Sequence, residues 1–393
     1  MIAATAVSAR ERQRRDLVSG SGDNPMFEII RYTLALIVAD THLWPIGFVW
    51  AGWQAVFAFY TLSGYLMTRV LNERYGFAWS GIAAFLLNRV LRLWPAYLFI
   101  VAVTWVAVRF LPLDSFFFSL TPPRTVLEKV TTLTVLGQVG FDFTYLIPLS
   151  RLAPTSWSLS IELVSYCLLG LYFARTPRRL FVFAALGLIA ILGATGYCVA
   201  EPSIYYGPYC SQNRYGVVQA GFIPFAMGGL VYFYRPALHN FLASYGRWLV
   251  AGLLVAEASV VASVFSSVTI GPFIGALAIA ATIAWHGTDY RPGRAIDFIG
   301  RASYHLFIGH LSIAAILVVG LKFRANAFPV FAASLIVALL LSGFLVPLEW
   351  WLNGLRGRLS RWGGRSARPP AGASSDPAFA EVAGGATFGE PGR

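Results

Sequence analysis

A handful of ionisable residues fall inside the apolar stretches of this chain. An ionisable side chain there is costly and marks either a function or a buried partner. The first such stretch carries Arg31, Asp40 and His42. Arg31 and His42 are eleven positions apart, which on a helix is about three turns plus 20°. The two therefore share a face, about 16 Å apart along the axis, while Asp40 points about 200° away from His42. A later stretch opens Asn88-Arg89-Val90-Leu91-Arg92 and continues Trp94-Pro95, with arginines three apart on one side of a helix. Another begins Pro154-Thr155-Ser156-Trp157-Ser158-Leu159-Ser160-Ile161-Glu162, and a last one holds Ser303, Tyr304, His305 and His310.

Each group has a plain structural reading beside the chemical one. His42 is either a proton-transfer group or a histidine hydrogen-bonded to a neighbouring helix, with Arg31 snorkelling to the interface. Arg89 and Arg92 either anchor a span end or, with Arg31, make a multidentate phosphate clamp. Such a clamp suits a nucleotide-bearing donor such as an acyl-CoA. Glu162 is either the counter-ion of a buried arginine, or it orients His42 or binds a sugar hydroxyl. Glu257 is a second acid at membrane depth with no motif around it and reads as structural.

The elements that must position these residues follow from composition. Of 393 residues, 57% are hydrophobic and 12% charged, about half the charge of a soluble domain. Apolar runs recur from about residue 29 to 350, each near the ~20 residues that cross ~30 Å of hydrocarbon. Only helices satisfy their backbone there. The expected fold is an all-α polytopic bundle of about ten spans, near 29–50, 53–71, 85–108, 156–174, 180–200, 216–234, 248–266, 268–287, 303–321 and 327–350.

The net charge of +12 raises the question of nucleic acid as a partner, but its distribution answers it. With the N-terminus cytoplasmic, 23 of the 30 Lys and Arg fall on the cytoplasmic side, among them Arg301 and Arg356, as the positive-inside rule expects. Both termini are then cytoplasmic. Residues 1–26 form a basic segment without the apolar core of a cleavable signal. The membrane domain is expected over 27–352, and 353–393 as an Arg-rich, then disordered tail. The external loop 109–155 is long, and its apolar stretch 130–140 is too short for a span; a re-entrant or surface helix is the expectation. Three cysteines make neither a disulfide framework nor a zinc site. Cys198 and Cys210 flank one external loop, where pairing remains open. No metal site and no strong internal repeat are visible.

Several segments together resemble the acyltransferase-3 family of bacterial membrane proteins. Phe27-Glu28-Ile29-Ile30-Arg31 through Asp40-Thr41-His42 is similar to that family's opening. Phe59-Tyr60-Thr61-Leu62-Ser63-Gly64-Tyr65-Leu66 looks like its second-span motif. Arg89-Val90-Leu91-Arg92 with Pro95 matches the Arg-x-x-Arg motif, Trp157-Ser158-Leu159 with Glu162 the Trp-Ser-Leu-x-x-Glu segment, and Ser303-Tyr304 with His310 the late Ser-Tyr-x5-His motif. The order agrees from residue 27 to about 350. Ala55-Val56 replaces the usual Gly-Val, Tyr60 stands where Phe is usual, and Gly309 replaces a bulky residue before His310. These departures bear on acceptor fit more than on reaction type.

The resemblance implies an O-acyltransferase of the bacterial inner membrane. It would move an acyl group, acetyl being expected, from cytoplasmic acyl-CoA to a hydroxyl of an exported or lipid-linked glycan. It implies His42 as catalytic base with Glu162 orienting it. Arg31, Arg89, Arg92, Trp157, Ser158, Tyr304 and His310 are implied as substrate-binding residues. Acyl-CoA is then a donor substrate rather than a resident cofactor, and the partners are the glycan acceptor and membrane lipids, not nucleic acid. The competing class is a glycolipid transporter or flippase without covalent chemistry, which also uses intramembrane charges. Such proteins commonly carry internal repeats and paired broken helices, neither of which is evident here. The unrelated membrane-bound O-acyltransferase fold lacks its usual Asn and His pair in this chain.

Overall fold

The computed structural model describes residues 25–44, 51–136, 138, 151–200, 217–262, 270–286 and 294–365. Ten α-helices occur among them. These are α1 Pro25–Leu43, α2 Ala51–Val70, α3 Trp79–Phe110, α4 Val126–Thr134, α5 Ser156–Leu171, α6 Pro177–Ala200, α7 Phe222–Ala262, α8 Gly271–His286, α9 Arg294–Ala315 and α10 Phe328–Arg365. No strand occurs among the described residues. Five helical stretches are long and apolar enough to cross a membrane: Trp79–Phe110, Pro177–Ala194, Val218–Val260, Phe298–Gly320 and Phe328–Glu349. Apolar helices α5 and α8 are shorter. Helices α1 and α2 carry several polar residues, among them Glu28, Arg31, Gln54 and Ser63.

Helices α1, α3 and α9 run side by side in the same direction. Glu28 lies against Gly300 at one end of the α1–α9 pair, and His42 meets His310 further along. The Tyr304 hydroxyl donates to the Leu93 carbonyl of α3 at 2.9 Å, near Pro95. Pro95 has no N–H, so the helical ladder is interrupted at this point. Helix α10 returns in the opposite sense: Ser342 is beside His305, and Arg356 reaches Asn88.

Helix α2 packs closely on α7. A Cβ added at Gly64 would lie 2.2 Å from the Phe225 carbonyl oxygen, and one at Gly228 would lie 1.9 Å from the Thr61 carbonyl oxygen. Bare backbone on both sides lets the helices approach, as small residues do throughout membrane bundles.

Two segments depart from the expected layout. The spans expected at 216–234 and 248–266 are parts of one helix, α7, which reverses along α2. Tyr232 meets Tyr65, yet Glu257 returns to Gln54, near the start of α2, at 3.0 Å and 3.2 Å. A straight helix would carry Glu257 about 37 Å beyond Tyr232. The chain therefore turns back between them, in a stretch that contains Pro236. The pairing with Gln54 also agrees with a structural role for Glu257. Secondly, residues 353–365, expected in the tail, continue α10 as helix. The N-terminal segment 1–24, Cys210 and residues 366–393 lie outside the described residues, as does the Cys198 side chain. Cys167 is half-buried and unpaired.

Between α3 and α5 the chain dips back into the bundle. Helix α4 starts with a capping box between Thr125 and Glu128 and stops at Val135, whose φ is 66°. Its last carbonyls are taken by the bundle. Trp94 donates to the Leu133 carbonyl at 3.0 Å, Tyr97 donates to Thr132, and buried Gln138 donates to the Thr131 carbonyl at 3.2 Å. Trp94 and Tyr97 lie 13–16 residues before the end of α3, about 20–24 Å back along its axis. The re-entrant expectation for this segment thus has a physical basis, since side chains of α3 supply the partners that lipid cannot.

Candidate active site

A cavity of about 250 Å³ opens between α1, α2, α3, α5, α9 and α10. Five arginines line it: Arg31 from α1, Arg89 and Arg92 from α3, Arg301 from α9 and Arg356 from α10. Glu28, Glu162 and Glu349 line it too, so five positive charges face three negative ones and an excess of two remains. Arg31 pairs with Glu28 at 2.6 Å, and Arg301 Nε lies 3.3 Å from Glu349. Arg89 is buried, and its Nε has no hydrogen-bond partner. Asn88 Oδ1 accepts from both Arg89, at 3.2 Å, and Arg356, at 3.1 Å. A neutral amide thus holds two guanidiniums together without neutralising either. Arrays of planar donors with excess positive charge bind phosphate groups.

The expected residues separate into three places. Arg31, Arg89, Arg92, Glu162 and Tyr304 all line the chamber. Glu162 does not touch His42; it accepts hydrogen bonds from Ser63 at 2.8 Å and from Tyr166. This gives the second-span motif a physical meaning: Ser63 holds Glu162 while adjacent Gly64 admits α7. The Trp157 ring packs 5.5 Å from Trp53, away from the arginines. Ser158 is buried and donates to the Thr155 carbonyl at 2.8 Å, while its own carbonyl accepts from Tyr60. Ser158, implied as a substrate contact, is thereby engaged in internal packing.

His42 lies outside the chamber lining. Phe59 and Phe307 line the chamber and meet each other at 5.4 Å between ring centres. Phe307 precedes His310 by about one turn on α9, so this aromatic pair stands on the histidine side of the chamber. His42 is exposed, whereas His310 behind it is completely buried. His310 Nε2 lies 3.1 Å from His42 Nδ1, and the rings are 5.2 Å apart. His310, which the resemblance implies as a substrate contact, is buried here with both nitrogens engaged. It backs His42.

Among the chamber's arginines, Arg301 and Arg356 are the two that sequence reasoning did not single out. Both count among the cytoplasmic charges, where a topological role explains them equally well. One signal was available: Glu349 and Arg356, seven apart, fall on one helix face. No group of three or more metal-ligating side chains occurs among the described residues.

Five arginines gathered in one cavity and a histidine pair further along α1 and α9 are thus the main polar features of this helical bundle. A family profile described as an acyltransferase domain matches residues 29–346. The match spans most of the chain and nearly all of the helices, and the chain belongs to this acyltransferase-3 family. No curated protein and no solved structure shows significant similarity to it.

Proposed function

We propose that this protein is an O-acyltransferase of the bacterial inner membrane. It takes an acyl group, acetyl in the first instance, from cytoplasmic acyl-CoA and places it on a hydroxyl of an exported or lipid-linked glycan. The observation that carries this reading is the alignment of two unlike sites along α1. Arg31 lies in the arginine chamber, and accessible His42 lies about 16 Å further along the same helix. The charge bias toward the chamber end supports a cytoplasmic chamber, both termini cytoplasmic and about ten membrane passes, two of them made by the folded-back α7.

In this reading the arginines hold the donor phosphates, and the pantetheine arm runs past Phe59 and Phe307 toward His42. The acceptor oxygen attacks the thioester carbonyl while His42 Nε2 takes its proton. The new C–O bond forms, the C–S bond breaks, and the departing thiolate recovers that proton from His42 as CoA thiol. Positioning and general base catalysis are the two effects invoked. The test uses radiolabelled acetyl-CoA with membranes of the producing strain. Label released by mild base from the glycan fraction is expected, and glycan that stays unlabelled in the presence of active protein would sink the reading.

Arg356 gives a sharper check on the chamber. A charge-assisted hydrogen bond is worth about 1.5–3 kcal/mol, so Arg356→Ala should raise KM for acetyl-CoA by about 10–100-fold. The value of kcat should change much less, because the contact is made equally before and during the reaction. An unchanged KM would remove Arg356 from the donor site.

A further inference from the structure

We infer that His310 is the positioning residue of the base: it fixes the tautomer of His42 and supports the charge that His42 acquires. The inference rests on the reading of His42 as the base and adds the group that makes it one.

The hydrogen bonds determine where each proton sits. His310 Nδ1 lies 3.0 Å from the carbonyl oxygens of both Leu306 and Phe307. A carbonyl oxygen only accepts, so His310 Nδ1 carries the hydrogen and Nε2 keeps a lone pair. That lone pair faces His42 Nδ1 at 3.1 Å. His42 Nδ1 also lies 2.8 Å from the Val38 carbonyl oxygen. With acceptors on both sides, His42 Nδ1 must be the donor; an unprotonated Nδ1 would face two lone pairs. His42 Nε2 is therefore the nitrogen left with a free lone pair, on the exposed residue of the two. This is the tautomer that a general base needs.

The same contact serves the reaction. When the acceptor O–H transfers its proton to His42 Nε2, the imidazolium donates more strongly through its Nδ1–H, shared between His310 Nε2 and the Val38 carbonyl, and the bonds relax when the thiolate takes the proton back. Carboxylates usually fill this orienting place in catalytic triads. Here two acids of the chamber are engaged elsewhere, Glu162 with Ser63 and Tyr166, and Glu28 with Arg31. A neutral imidazole also avoids leaving an unpaired anion in a buried site when His42 is uncharged.

The experiment compares His310→Ala, His310→Asn and His310→Gln in label transfer from acetyl-CoA, in full-length protein matched for membrane level and gel-filtration profile. The Gln amide oxygen reaches the position of Nε2 and accepts from His42 Nδ1–H, whereas Asn reaches only the Nδ1 position. His310→Ala and His310→Asn should lose about 10–100-fold in kcat with KM for acetyl-CoA within about 2-fold, the pattern of a contact that matters only in the transition state. His310→Gln should recover at least about 5-fold of that loss. Wild-type kcat in His310→Ala, a Gln variant no better than Asn, or a loss confined to KM would each overturn the assignment. Absence of transfer by the wild type would overturn the acyltransferase reading itself, and this inference with it.

Discussion

Replacing His42 by alanine lowers acyl transfer by about 10²–10⁴-fold, the range that a positioned general base supplies, or roughly 3–5 kcal/mol of barrier. The loss falls on kcat. The arginine chamber does not include His42, so donor affinity should stay near wild type. Some activity should persist, because the chamber still delivers the thioester to the acceptor. The His42→Ala protein should also fold, since His42 is exposed and the helix around it is held by buried Val38 and Ala39. Kinetics of label transfer at several acetyl-CoA concentrations check this. A His42→Ala protein with wild-type kcat would leave the histidine pair without a catalytic role.

The second large effect is on folding. Gly64→Ala adds one methyl group, and it lands 2.2 Å from the Phe225 carbonyl oxygen and 2.7 Å from the Phe225 Cα. These are backbone atoms and cannot rotate aside. Helices α2 and α7 must separate, and α2 carries many of the buried side chains of the core, including Phe57, Leu62 and Tyr65. Overpacking inside a well-packed core costs about 1–3 kcal/mol and sometimes more; a clash of backbone with backbone belongs at the upper end. Gly228→Ala, with its methyl 1.9 Å from the Thr61 carbonyl oxygen, should behave alike. Loss of monodisperse protein on heating in detergent provides the measurement. Wild-type melting for both variants would show that the helices are not in contact there.

Much of this arrangement is legible in sequence. Long apolar runs give most of the helices, and the short apolar stretch after Lys129 is readable as a re-entrant or surface helix. Arg31, Arg89 and Arg92 share their chamber as the spacing and the resemblance together suggest. Other features depend on which helices become neighbours, and a single sequence does not state this. Arg356 looks like any basic residue past a span end; it enters the chamber because α10 continues as helix and Asn88 accepts its Nε–H. Glu162 has the right depth to serve His42, but α5 turns it toward Ser63 and Tyr166. The partner of His42 comes from α9, 268 residues away, and no local spacing could pair the two. The two expected spans around Pro236 fall within one element, Phe222–Ala262, whose path turns back in a stretch that contains Pro236.

Mass spectrometry of the cell-surface glycans of the producing strain tests the central claim most directly. The gene is deleted and the strain complemented with either the wild type or His42→Ala, each present in the membrane at equal level. The account predicts that a base-labile acyl mass disappears on deletion, returns with the wild type and stays absent or very low with His42→Ala. Unchanged acylation on deletion, with glycan lost from the surface or retained inside the cell, would contradict it and mark the protein as a transporter.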